Sequence, residues 1–558
     1  MVISDGPSML VPDFPFAYDT YLAHPAGLGR VPDAALGTEV AVIGAGMAGL
    51  VAAYELMRLG LRPVVYEAGE IGGRLRSQAF PGAPDAVADL GGMRFPASGR
   101  AFGHYLRVLG VRTSPFPNPL APQTPSTVIE LAGRSHYAET AEDLPPVFGE
   151  VSRAWATALA DGAELPALRA AIAARSPSAI KSIWNRLVPA LDDESFSGFL
   201  ARSPSFADFH HRELFGQVGF GTGGWDTDFP NSMLEILRVV ATDADDQHVR
   251  IHGGAQSVPL ALWRRAPSQL HHWTPGASLE SLHGGSPRPA VRALRRRPDG
   301  RIGVLDRWGT ERAYPAAVST VQSWLLSAGI DTDESLFSHD LWMALERSHY
   351  MQSSKTFVLV DRPFWRDRDP SSGRFVLSTT LTDRMTRGTY LLDGGGGLDD
   401  PDAATRPAVV CLSYTWNDDA LKWLALPTDE RVRLMLHSLR QIYPDLDVAS
   451  HILGEPITIS WEREPHFMGA FRGNLPGHYR YQRRLFTHFV QDALPPEHRG
   501  LFLAGDDISF TPGWAEGAVH TALNAVWGVV HQLGGHSAPG NPGPGDRFTE
   551  LAPVDLDG

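Results

Sequence analysis

Three glycines at one spacing are the first residues that can do recognisable chemistry. Gly44, Gly46 and Gly49 form GAGMAG, a G-x-G-x-x-G run. The run follows the apolar stretch VAVI and opens a helical pattern. Glu67 closes the next apolar stretch, about 20 residues on. The six-residue run alone is weak; the strand–turn–helix context with a trailing carboxylate makes it specific for a dinucleotide. Gly44 permits the tight turn, Gly46 lets a pyrophosphate approach the backbone, and Gly49 lets helix and strand pack closely. The helix start offers free N–H groups and a positive dipole end to phosphate. Glu67 can accept hydrogen bonds from a ribose diol. Arg74, in Gly72-Gly73-Arg74, can give a diphosphate two parallel hydrogen bonds.

These groups need elements to hold them. EVAVIGAGMAGLVAAYELMRLGLRPVVYEA predicts strand, turn, helix and strand, with Gly60 stopping the helix and the second strand at residues 63–66. Residues 1–36, rich in Pro, Asp, Tyr and Phe without a clear period, predict an extended arm packed on the body. Helical patterns concentrate at 140–250, as in DLPPVFGEVSRAWATALADG, LPALRAAIAARS and NSMLEILRVVATDAD. Strand-like runs return at 286–325 and in FVLVDRPFW, TYLLD and AVVCLSYTW. The last clear elements are the strand LFLAG and a helix beginning near Trp514, before a Pro/Gly-rich tail. The expected fold class is α/β (α+β): a Rossmann-like domain, a mixed-sheet domain and a helical insertion. Expected boundaries are an arm at 1–36, a dinucleotide domain at 37–100 plus 246–325 plus 486–535, a substrate domain at 101–140 plus 326–485, a helical domain at 141–245 and a tail at 536–558.

A chain of 558 residues exceeds one ordinary core. Its 43% apolar and 20% charged residues are a globular balance. Lys plus Arg is 49 against 63 Asp plus Glu, a net charge of −14, which repels nucleic-acid backbones. The single cysteine, Cys411, excludes an intramolecular disulfide and a cysteine metal cluster, and fits a reducing cytoplasm. No basic segment followed by an apolar stretch opens the chain, and no run of about 18 apolar residues occurs, so neither export nor membrane insertion is expected. His210-His211 and His271-His272 lack ligand spacing, so no metal is expected.

Four segments carry a resemblance. The E-A-x-x-x-G-G-R run from Glu67 to Arg74, DLGGMRFP at 89–96, LFLAGDD at 501–507 and TPGWAEGAV at 511–519 resemble the motifs of the flavin amine oxidase family. Longer stretches (GQVGFGTGGWDTDFPNSMLEI, YMQSSKTFVLVDRPFW and GAFRGNLPGHYRY) are similar to its bacterial branch of amino-acid 2-monooxygenases and L-amino-acid oxidases. The resemblance implies FAD as cofactor and a homodimer. It implies cofactor contacts from Gly44, Gly46, Met47, Gly49, Glu67, Ala68, Gly73 and Arg74. Gly92, Met93, Arg94 and Val291 would line the flavin further on. Gly505 and Asp506 would meet the ribityl-phosphate part, and the helix start at Trp514 and Ala515 would face the flavin N1/O2 edge.

The same resemblance implies roles at the substrate. Arg94 matches the arginine that grips the substrate carboxylate. Lys355, in QSSKTF, matches the lysine that holds a water near flavin N5. Trp416, Phe471 and Trp514 match aromatic walls. Asp228 matches an acidic residue that would meet the far end of a basic side chain; a helix cap is its alternative role, and Asp226 the competing carboxylate. Ala244 departs from the family, which carries cysteine there. The expected reaction is oxidation of the α-amino group of an L-amino acid with O2. The products are an amide, CO2 and water, or a keto acid, ammonia and H2O2. A basic substrate is expected, lysine first, with arginine or ornithine also allowed. The alternatives are an aromatic amino acid, tryptophan or phenylalanine, and a silent flavoprotein serving as a binding module.

Overall fold

The computed structural model describes residues 8–218, 228–268, 270, 272–393 and 404–557. At one end is a parallel sheet in the order Leu501–Leu503, Ala317–Ser319, Glu39–Ile43, Arg62–Tyr66. The second strand starts one residue before the expected position. Alternation places Val40 and Val42 in one apolar cluster and Ala41 and Ile43 in another, so both faces of the sheet are covered. The helix Met47–Arg58 is buried along all but its last residue. It packs against the equally apolar helix Ala515–Gln532, whose N-cap is Trp514.

A second, mixed sheet has the order Ile452–Ser460, Ser353–Val360, Ala408–Trp416, Gly388–Leu392, Thr379–Thr382, Thr127–Leu131, Arg134–Ala138. Its strand Ser353–Val360 is buried throughout. Phe357 and Leu359 face one core, Val358 and Val360 another. By that period of two, Lys355 shares the first face, which packs on the glycine-rich 89–93 segment. The expected helical region contains Pro146–Ala163, Leu165–Ala173, Pro177–Leu191 and Met233–Ala241.

The arm is less extended than expected. Tyr18–Ala23 is helical, because Tyr18, Tyr21 and Leu22 find apolar partners on the body. Gly29–Arg30 pairs antiparallel with His536–Ser537 of the tail, and Asn541 donates to the carbonyls of Tyr21 and Gly27. Arm and tail therefore hold each other. Asp226 and His271 lie outside the described residues.

Candidate functional site

Both sheets border one cavity of about 530 Å³, within the range of ligand sites. At its nucleotide end the glycines do what their spacing requires. Gly44 has φ +108°, and a Cβ there would meet Thr320 Oγ1 at 2.4 Å. Gly46 is the N-cap of Met47–Arg58, with no side chain capping the helix. A Cβ on Gly73 would lie 3.3 Å from Gly46 Cα, so two glycine loops leave a cradle free of side chains. The helix N–H groups, bare cradle and bordering Glu67 fit the diphosphate and ribose of FAD. Gly49 is the exception among the expected contacts. It does not line the cavity; a Cβ there would sit 1.9 Å from Gly44 O, so it acts by letting the helix pack on the turn.

Glu67 already holds this loop, accepting from the N–H groups of Ala45 at 2.6 Å and Gly69 at 2.7 Å. Arg74, expected to reach a diphosphate, instead directs its fork at Asp506 (2.6 and 3.0 Å) and at Ala470 O (2.9 Å). The pair joins the first motif to the last. Met47, Ala68, Gly92, Met93, Val291, Gly505 and Ala515 all line the cavity.

Arg94, Lys355, Asp228, Trp416, Phe471 and Trp514 line the same cavity. The antiparallel register sets Lys355 opposite Tyr414, and its ammonium sits 4.5 Å from the centre of that ring. Lys355 Nζ donates to the carbonyls of Asp89 (3.2 Å) and Gly91. Burial pushes its pKa down to about 8, the Cys411 thiol and Asp89 partly opposing. The Arg94 guanidinium lies 5.7, 5.9 and 6.0 Å from the ring centres of Phe116, Tyr390 and Tyr414. Two cations thus meet around Tyr414, an electropositive spot suited to a carboxylate. Tyr414, Trp416 and Phe471 form a wall of edge-on rings at 5.6 and 5.5 Å.

Asp228 is buried and accepts from Asn231 Nδ2 at 3.1 Å. It is not the cap of the following helix. Ser232 is, its hydroxyl accepting from Leu234 N–H. Glu235 and Arg238, one and nearly two turns along, also reach the cavity. Arg238 is gripped at two points by Asp13 of the arm, at 2.8 and 2.9 Å, and stands 3.5 Å from Glu235. Burial raises the pKa of Glu235, against the pull of Arg238 and Arg472. Of these, Tyr414 had a readable signal: it lies two residues before Trp416 and so shares its face of the strand. His248, which stacks on Trp514, had none, because a lone histidine in a polar run has no pattern. Among the described residues no group of metal-ligating side chains assembles, and no helix is long and apolar enough to cross a membrane.

Comparison with known proteins gives the family and the fold. Residues 47–530 match the model of the flavin containing amine oxidoreductase family. Tryptophan 2-monooxygenase of Pseudomonas savastanoi is 31% identical, over 95% of this chain and 96% of that protein. The enzyme of the same name from Pantoea agglomerans pv. gypsophilae is 30% identical over 92% of each. Cyclohexylamine oxidase from Brevibacterium oxydans IH-35A superposes with a TM-score of 0.62 at 19% identity, covering 89% of this chain and all of that one. This chain belongs to the flavin-containing amine oxidoreductase family, in the branch that holds amino-acid monooxygenases.

Proposed function

We propose that this chain oxidises the α-amino group of an L-amino acid with O2, using FAD. The observation that carries the reading is the meeting of Arg94 and Lys355 around one Tyr414 ring, in the cavity that the dinucleotide turn also borders. Arg94 would take the substrate carboxylate with its planar fork and hold the α-carbon in place. Trp416, Phe471 and Trp514 would exclude water from the reacting carbon. Lys355 spends two of its three donors on carbonyls, which leaves one for a water beside the reacting centre. With a pKa near 8 it can hold or release a proton there. Bound FAD supplies the two-electron acceptor and passes the electrons to O2.

An imino acid that leaves the cavity is hydrolysed by water to keto acid and ammonia, and the O2 that takes the two electrons from the flavin leaves as H2O2. One that is retained is oxidatively decarboxylated by that O2-derived peroxide, giving the amide, CO2 and water. The relatives named tryptophan 2-monooxygenase favour an aromatic side chain and the amide outcome, and we take that reading first. A basic substrate, lysine, arginine or ornithine, is the second reading. It is favoured by the buried Asp228 carboxylate at the cavity wall. The proposal includes a cytoplasmic homodimer, which gel filtration tests in its second part.

The deciding experiment is anaerobic bleaching of the bound flavin across the twenty L-amino acids, followed by product analysis in air. Fast bleaching by tryptophan or phenylalanine supports the first reading and by lysine or arginine the second. Bleaching by none overturns both.

A further inference from the structure

His248 lines the cavity and has no task in the reading above. It opens the strand His248–Ile251 and lies opposite Pro96, two residues beyond Arg94. Its ring stacks on the Trp514 indole, centres 5.6 Å apart and planes 22° from parallel. The imidazole is 5% exposed, and both its nitrogens are engaged. Nε2 lies 3.0 Å from the Ala244 carbonyl oxygen. A carbonyl only accepts, so Nε2 carries the proton. Nδ1 is then a lone pair; the Asn118 amide nitrogen lies 3.0 Å away and the amide oxygen 3.3 Å, so the nearer nitrogen is the matching donor. One neutral tautomer satisfies both contacts. Burial, with Arg94 nearby, pushes the pKa down to about 3, so the ring stays neutral at any working pH.

The ring therefore touches three parts of the site. It braces the Trp514 indole at the last motif, it ties down residue 244 at the cavity wall, and it shares a strand pair with the Arg94 segment. We infer that His248 is a positioning residue: its fixed neutral tautomer sets the Trp514 plane relative to Arg94 and residue 244, so that the amino acid's α-carbon is held in one reactive pose. The inference rests on the function proposed above.

The test uses the full-length FAD-loaded enzyme, whichever L-amino acid bleaches it fastest, and rapid anaerobic mixing. His248→Phe keeps a ring for Trp514 and loses both hydrogen bonds. The limiting rate of flavin bleaching should fall about 10- to 100-fold, the scale of a misplaced reacting group. FAD content and reduction by dithionite should be unchanged. The shape of the rate's pH profile from 6 to 9 should also be unchanged, since His248 does not titrate there. A full-FAD variant with the wild-type rate and substrate affinity would overturn the inference, and so would loss of an inflection present in the wild type. If His248→Phe fails to fold or to hold FAD, Asn118→Leu decides, because it removes only the Nδ1 partner. A lower bleaching rate supports the inference and an unaltered one overturns it. A wild type bleached by no amino acid would sink the functional reading, and this inference with it. A bleached wild type matched by its variants sinks this inference alone.

Discussion

Arg74 and Asp506 stand 432 residues apart and meet at two points, 2.6 and 3.0 Å. Both line the cavity, and the pair staples the segment after the glycine turn to the segment after Leu501–Leu503. Asp506 also accepts from Gly513 N–H at 3.0 Å, which extends the staple to the turn before Trp514. Arg74→Met should leave the Asp506 carboxylate partly buried and uncompensated. The variant should purify with little FAD, and its affinity for added FAD should drop about 10- to 100-fold, the cost of a lost charge-assisted contact. Arg74→Met with Asp506→Asn should recover part of that loss, read by the ratio of flavin to protein absorbance.

Gly49 makes a sharper case. Gly49→Ala would put a methyl 1.9 Å from Gly44 O, so the helix or the turn must move. The expected product is a folded but colourless protein. A yellow, fully loaded variant would show that the turn tolerates a methyl.

The substrate carboxylate gives the next prediction. Arg94→Lys keeps a charge but loses the planar fork, and about 1.5–3 kcal/mol of charge-assisted bonding should go with it. Steady-state kinetics should then show kcat/KM down about 10- to 150-fold for the amino acid. Turnover of the corresponding amine, which has no carboxylate, should not fall.

Lys355 predicts a pH effect of known sign. Its pKa of about 8 lies below the usual lysine value, because burial penalises the charged form. Between about pH 8 and 10.4 the unfolded chain holds a proton that the folded one has lost, so this group makes stability rise with pH there. Lys355→Met should abolish that rise in denaturant titrations at pH 8 and 10. The same variant should lose any inflection near pH 8 in O2-dependent turnover. Its anaerobic bleaching should persist.

Asp228 separates the two substrate readings. If the side chain recognised is basic, Asp228→Ala should cut kcat/KM for lysine or arginine about 100-fold or more, and tryptophan should be unaffected or better. If it is aromatic, the variant should change tryptophan turnover by a small factor only. Parallel assays on both substrates read the difference.

Much of the nucleotide end was legible in the linear chain. Gly44, Gly46 and Glu67 lie within about 20 residues, and the turn they make is local. The core faces of the strands at 353–360 and 408–416 were legible only as apolar runs, because a strand buried on both sides carries no alternation. The cap at Ser232 displaced the alternative role of Asp228, since Ser232 directly precedes the helix and Asp228 lies four residues further back. The arm's helix escaped notice because six residues are too few to show a period.

By itself the sequence determined the dinucleotide turn, the class of fold and the family, because local spacing and contiguous motifs carry that information. The tertiary structure decided that Lys355 faces Tyr414 and not a neighbour, since strand register is set by pairing across more than 50 residues. It also decided that Arg74 would hold Asp506, that Asp13 of the arm would grip Arg238, and that His248 would brace Trp514. In each case the partner is chosen by burial, which brings two groups together wherever leaving either one unpaired would cost more.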